Sequence, residues 1–375
     1  MAEAVPISSE TLTTGRQWTL HLWSFVLPLI NLAFLWTGPH GVWSAILWSL
    51  PIWILVAIDN RAPGDLRAPA PDAPQWTFDL QVYLLAAIQL LNHVLLGAMA
   101  SKLSIASTDD LIVTFFNFVT VASVCGTTAG YSGIVLAHEL VHRRKWAEYT
   151  LGRVLLMCVL YEHFATEHIR GHHPRIGTPE DPATARFGET FREFFRRTVP
   201  AQFKSAWHLE KVRLGDEHMR WTDPRMRNHR VLQGLVGEVV ILVAFTWAFG
   251  PLALFFFVFG QARSAIFLLE VVNYIEHWGL VRVGRKVTPL DSWDTDNWFT
   301  LHTLVGLSRH SDHHSQASRP YFMLRAFADS PKMPRGYYGT VLMAAFNNKR
   351  YRKLATAELE RKKLGPFREA AAVAA

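Results

Sequence analysis

Nine of the chain's 17 histidines fall in four short clusters. "HELVH" sets His138 and His142 four residues apart, and "EHIRGHH" holds His168 and His172 at the same interval with His173 alongside. "NYIEHWG" supplies His277, and "RHSDHH" packs His310, His313 and His314 into five positions. Residues three and four apart share one helical face, so these offsets suit chelation. Nine imidazoles exceed the roughly four to six ligands that one ion takes, and they suit two ions. Histidine serves zinc, copper, iron and nickel alike, so ligand type does not choose the metal.

Each cluster also carries an acid beside a histidine: Glu139, Glu167, Glu276 and Asp312. The expected role of these four is to accept the free ring N–H of a ligating histidine, which fixes the tautomer and offsets cationic charge. "HELVH" alone matches the metalloprotease pattern HExxH, two zinc ligands around a glutamate base. A protease site needs only one further ligand, which leaves most of the histidines unexplained.

The elements that position these groups are apolar. A membrane-spanning helix needs about 20 residues to cross roughly 30 Å of hydrocarbon. Runs of that kind lie at 18–36, 42–58, 80–100, 111–137 and 231–249, with a continuation to about 281. Pro251 after Gly250 marks the expected turn between the fifth and sixth spans. The reading is an all-α integral membrane protein with six transmembrane helices and a cytoplasmic helical region carrying a histidine-rich di-metal site. One domain covers 1–375. It comprises a polar tail at 1–16, spans one to four within 17–137 and a polar block at 138–230 with the first two boxes. Spans five and six follow within 231–281, then a second polar block at 282–375 with the last box and tail. The stretch 354–375 reads as a charged helix running into a solvated, alanine-rich end.

Lysine and arginine set the orientation. Arg61 and Arg67 occupy the 60–77 loop and arginine crowds 138–230, whereas the links at 37–41 and 250 carry neither residue and 101–110 only Lys102. Both termini and all four clusters are therefore expected in the cytoplasm. The net charge of +7, with Arg143, Arg144, Lys145, Arg192, Arg196 and Arg197, fits anionic lipid headgroups or an acidic partner protein. Cys125 and Cys158 are the only cysteines. With no CxxC pair and no glycine-rich dinucleotide fingerprint, the chain encodes no cysteine-ligated iron–sulfur centre and no Rossmann site. Electrons for any redox chemistry must come from another protein.

The four clusters, in this order around these spans, resemble those of the membrane alkane 1-monooxygenases, within the wider histidine-box class of integral-membrane hydroxylases and desaturases. The EHxxGHH box, the NYxEH segment, RHSDHH and "TPEDPATAR" (178–186) are specific to the alkane-hydroxylase branch, and the likeness runs from about residue 20 to "MPRGYYG" (333–339). Departures from the pattern are Arg143-Arg144 where a lysine is common, Trp278 for tyrosine, Ser308 for glutamine and "DSWD" at 291–294. None removes a histidine of the boxes.

The resemblance implies a non-haem di-iron centre with two iron ions held by His138, His142, His168, His172, His173, His277, His310, His313 and His314. It implies O2 as co-substrate and hydroxylation of the terminal methyl of medium- to long-chain n-alkanes to 1-alkanols in a bacterial-type cytoplasmic (inner) membrane. Electrons come from rubredoxin, itself reduced by an NAD(P)H-dependent rubredoxin reductase. Alternatives are hydroxylation of alkyl-aromatic or terpenoid methyl groups, acyl desaturation, and metal binding without catalysis. An alkane has no polar handle, so binding must be apolar, in a channel between spans. Trp43, Trp48 and Trp53 are candidates for lining it, beside the interfacial or lipid-facing role usual for tryptophan. His163 and His302 could face the site, while His208, His218 and His229 are expected on the surface.

Overall fold

The structure is a computed structural model that describes residues 6–7 and 10–368. The outer parts of the polar tail (1–5 and 8–9) and the alanine-rich 369–375 lie outside the described residues. Five helices are long and apolar enough to cross a membrane: α1 (Thr14–Thr37), α2 (Val42–Asp59), α3 (Gln75–Ala100), α4 (Thr108–Val141) and a last run at Arg230–His277. At about 1.5 Å per residue the last run would be over twice the thickness of the hydrocarbon layer. Its backbone leaves the helix at Gly250 (φ 85, ψ 172), a left-handed conformation that glycine adopts without a steric penalty, and Pro251 starts the return. Phe245 and Phe257, on either side of the reversal, pack with their ring centres 5.1 Å apart. The five apolar helices thus make six passes.

Polar side chains fasten the passes to one another where no water is available to satisfy them. Asn92 of α3 donates to the Pro28 carbonyl of α1 (3.1 Å), and Thr120 of α4 donates to the Ala45 carbonyl of α2 (2.8 Å). Ser107 caps α4, accepting from the Asp110 amide at 3.1 Å, with Asp109 and Asp110 in the positively polarised first turn.

At one end of the bundle, called here the outer end, α4 meets the limb of Arg230–His277 that follows Gly250. A methyl group at Gly126 would collide with Ser264, and one at Gly260 would stand 2.9 Å from Val121 Cγ1. Only residues without a side chain permit this approach.

The other end carries the polar blocks. After α4 come α5 (Trp146–Met157), a widened turn at Glu167–His172 and α6 (Phe191–Arg213), whose start is fixed by a capping box between Thr190 and Glu193. An exposed segment at 215–228 then leads to α7 (Arg230–His277). His229 caps α7, its Nδ1 accepting from the Leu232 amide at 3.2 Å, and its ring lies 4.3 Å from Trp207. It is buried, against the surface position expected for it, because helix capping and ring packing both draw it inward. His208 and His218 are exposed.

Beyond α7 follow α8 (Trp298–Thr303), α9 (His310–Ser315), α10 (Tyr337–Phe346) and α11 (Asn348–Lys362). The charged helix expected from 354 onward is the latter part of α11, which buries Tyr351, Ala355 and Leu359 on one face. Among the described residues the only sheet is a two-residue antiparallel pair, Pro6–Ile7 with Ala326–Phe327. The 60–73 loop is tied to the C-terminal block through Arg309, which donates to the carbonyls of Asp65 (3.1 Å) and Arg67 (3.0 Å). This loop therefore backs the last histidine box.

Candidate metal centre

The four histidine clusters converge at the inner end of the bundle, opposite the Gly250 reversal. His138 closes the last turn of α4 and His142 follows one turn later, on the same face. The widened turn Glu167–His172 and the short helix His173–Arg175 carry His168, His172 and His173. Wide turns of this kind occur mostly at functional positions. His277 ends α7, and the six-residue α9 brings His310, His313 and His314.

The donor nitrogens sort into two cages. His138, His142, His168, His173 and His313 form one, with ligand atoms all within 4.8 Å of one another. His172, His277 and His314 form the second under the same limit, and His310 joins it through His277 and Glu276. The pairs His172-His173 and His313-His314 each send one ring to each cage. Consecutive residues on a helix point about 100° apart, so a dipeptide of histidines faces two neighbouring sites at once. That is a physical reason for the doubled histidines in the second and third boxes.

Within the cages the nitrogens face one another. His168 Nε2 lies 3.0 Å from His142 Nε2 and 2.9 Å from His173 Nε2. His310 Nε2 lies 2.8 Å from His314 Nε2 and 3.3 Å from His277 Nε2. His138 Nε2 and His313 Nε2 are buried with no protein partner. Burial holds the imidazoles of His168, His173, His310, His313 and His314 well below their ordinary pKa, with mutual repulsion adding to it, and lowers that of His142 to about 4. Neutral rings with converging lone pairs repel unless a cation lies between them. The donor set therefore fits two metal ions bound by nitrogen.

The four acids beside the histidines behave differently from the expectation. Glu139 pairs with Arg143 (3.1 Å), Glu167 with Arg175 (2.7 Å), and Asp312 with Arg319. Each sits next to a histidine in sequence, but the turn of the helix points it away from the ring. Only Glu276 reaches the cages. Its Oε2 lies 3.2 Å from His310 Nε2, on the side where the other nitrogens converge, while its Oε1 accepts the Tyr337 hydroxyl at 2.6 Å.

The carboxylate that does meet an outward ring nitrogen is Asp181, 2.9 Å from His172 Nδ1. Thr184 (2.6 Å) and the Ala183 amide (3.0 Å) donate to it and hold it in place. Its signal in the sequence was the stretch "TPEDPATAR", singled out without a role for any member. Asp294 of "DSWD" accepts from Ser311 of the last box, from Ser330 and from Lys332. His302 turns to Asp65 (3.4 Å) and His163 packs on Tyr161, so neither joins a cage.

A narrow cavity adjoins the cages, between α4 and the second limb of α7. His138, His168, His172, His310 and Glu276 form its inner end, and its walls are chiefly apolar. The three tryptophans of α2 are elsewhere. Trp43 and Trp53 are 79% and 59% exposed on the outside of the bundle, and Trp48 packs against Phe34 and His40. None of the three lines the cavity.

Residues 114–342 match the fatty acid desaturase family model. Alkane 1-monooxygenase 1 of Pseudomonas aeruginosa is 42% identical over 228 residues, 58% of each chain. Alkane 1-monooxygenase 2 of Alcanivorax borkumensis is 30% identical over 340 residues, 87% of this chain and 86% of the relative. The xylene/toluene monooxygenase hydroxylase component of Pseudomonas putida is a more distant match, 24% identical over 207 residues. The alignment spans little over half of the Pseudomonas aeruginosa relative and most of the Alcanivorax one. With the family model covering more than half of the chain and the Alcanivorax relative aligned along most of its length, the chain belongs to the alkane 1-monooxygenases, within the wider fatty acid desaturase family.

Proposed function

We propose that the protein hydroxylates the terminal methyl of medium- to long-chain n-alkanes to 1-alkanols, using O2 and two non-haem iron ions held by the nine box histidines. The observation that carries this reading is the apolar cavity whose inner end is formed by the rings of two nitrogen cages. When bound, the iron supplies the redox chemistry that activates O2, which zinc lacks. The rest falls to the chain. Apolar walls bind the alkane, gaining about 0.8 kcal/mol per buried CH₂. The cages sit where a methyl at the cavity's inner end would point. Asp181 orients His172 and offsets positive charge. Glu276, held by Tyr337 and directed at His310, can carry a proton at Oε2 beside the inner end of the cavity.

Electrons come from rubredoxin and its NAD(P)H-dependent reductase in this reading, which the missing CxxC and dinucleotide motifs support. On α6, Arg192, Arg196 and Lys204 form an exposed cationic stripe at four-residue multiples. The other side of that helix touches the second box, with Ser205 2.7 Å from Arg175 and Gln202 2.9 Å from Glu270. An acidic redox protein on the stripe would therefore sit one helix from the cages. Arg143 and Arg197 take no part in such a surface, being engaged by Glu139 and Glu189. The distribution of arginine supports a cytoplasmic position for this face and for both termini in this reading.

Hydroxylation of an alkyl-aromatic methyl is the second reading, favoured by the xylene/toluene relative. Cells given a mixture of n-alkanes, xylenes and fatty acids separate the readings by mass spectrometry of the products. 1-Alkanols, with about two irons per purified chain, support the proposal. Benzylic alcohols alone, unsaturated acids alone, or full activity with zinc alone overturn it.

A further inference from the structure

The start of α1, the 60–73 loop and the chain on either side of the last box enclose a second, small cavity that none of the nine box histidines lines. It has room for one species of about the size of a water molecule. Its polar lining is Gln17 and His21 of α1, His302 of α8, Arg309 and Tyr321. Two of these are spent on other partners. Gln17 donates to the Phe322 carbonyl and accepts from the Ala70 amide (2.8 Å), and the Tyr321 hydroxyl reaches Gln81 Oε1 at 3.2 Å. The other three each keep a buried nitrogen with no protein partner: His21 Nδ1, His302 Nδ1 and Arg309 Nε. These residues are only 4%, 1% and 5% exposed. The rings of His21 and His302 meet edge to face, 4.8 Å apart, and His302 Nε2 faces Asp65 Oδ2 at 3.4 Å. Buried polar atoms are nearly always paired, so three unpaired nitrogens around one cavity mark the place of a bound species.

The charge beside the cavity does not balance. Arg309 is a buried cation whose bonded partners are all carbonyl oxygens, those of Leu324, Asp65 and Arg67. The Asp65 carboxylate is engaged on both oxygens by Arg67, at 2.8 and 2.6 Å. Of the other carboxylates whose fields reach Arg309, Asp294 and Asp296 share Lys332, and Asp312 takes Arg319 and Arg325. Four carboxylates thus stand against five cations, and the cation without a partner is the most deeply buried of the five. A buried charge with no counter-charge is costly. Water in the cavity would satisfy the nitrogens and leave that charge standing. We infer that the cavity binds one monovalent anion of the size of chloride, held by Arg309 Nε–H and His21 Nδ1–H, with His302 a third donor when its Nδ1 carries a proton. The ion ties α1 and the 60–73 loop to the segment that presents the last histidine box.

The test uses the full-length, iron-loaded protein prepared without halide. Two quantities are read: radioactive chloride bound per chain in equilibrium dialysis, and Tm as chloride replaces gluconate at constant ionic strength. The wild type should bind one chloride that bromide displaces, with a saturable rise in Tm of roughly 2–5 °C. His21→Phe keeps a ring against Phe78 and Tyr321 and removes the Nδ1 donor, so it should weaken chloride binding by at least roughly tenfold. Arg309→Gln removes the surplus charge and should abolish both binding and the Tm shift; if that variant does not fold, His21→Phe decides alone. No bound chloride and no chloride-dependent Tm in the wild type mean that the cavity holds water only, and overturn the proposal. Chloride bound equally well by wild type and His21→Phe sits elsewhere, at the iron for instance, and overturns it too. Neither quantity depends on hydroxylation, so the anion site stands or falls separately from the activity.

Discussion

At the outer end of the bundle α4 and the second limb of α7 touch through Gly126, Gly130 and Gly260, with Ser264 and Ala265 opposite. At the inner end the same two helices stand apart, and each is braced by neighbours on its far side. Arg143, just past α4, donates to Asp79 of α3 (2.6 Å), Glu139 (3.1 Å) and Glu148 of α5 (3.2 Å). Glu276 of α7 is held by Tyr337 of α10. The difference teaches how the space for a site is made. Where helices are to meet, side chains are deleted. Where they are to part, each is fastened to its outside neighbours by charged and hydrogen-bonded groups, and the gap is left for chemistry.

Four substitutions break or sharpen this contrast. His310→Ala removes the ring that approaches both His277 and His314, and product should fall by at least roughly 1,000-fold, more than the loss of an outer partner causes; iron per chain and 1-alkanol yield check it. Arg143→Ala leaves three carboxylates without their shared cation and should cost about 3–5 kcal/mol. Thermal unfolding of the purified protein measures the loss, and an unchanged Tm would show that the brace contributes nothing. Asp181→Asn keeps the shape but removes the charge behind His172, so metal affinity should drop about 10–100-fold with little change in Tm; chelator competition reads it. Gly126→Val overpacks the outer seam and should cost about 1–3 kcal/mol. In that variant iron per folded chain should stay as in wild type, and a loss of iron would mean that the two ends are not independent.

Much of the frame was legible because each signal is local. Apolar runs of the right length foretold the passes, and Gly250-Pro251 foretold the reversal, since a left-handed residue followed by a helix-starting proline has few other uses. Chelate spacing foretold that the histidines would gather. The carboxylates were misjudged because adjacency along a helix is not adjacency in space: Glu139 follows His138 but points about 100° away, toward Arg143. Asp181 escaped notice because it lies in an irregular loop, where no period ties it to His172. Trp43, Trp48 and Trp53 were candidates by size alone, and only the packing of α2 shows that none of them lines the cavity. The buried face of α11 was not foreseen for a similar reason, since charge content says nothing of a buried stripe one residue wide in each turn.

The reversal at Gly250 has a practical effect on how the molecule can be probed. A protease offered to the outer surface meets a turn with no loop to seize, and no lysine or arginine within it. On the opposite surface the segment 215–228 presents Arg220, Arg225 and Arg227, all exposed. Trypsin added to sealed vesicles should therefore find only Lys102 on the outer face and several arginines on the opposite one, and the fragments report which way round the protein was inserted.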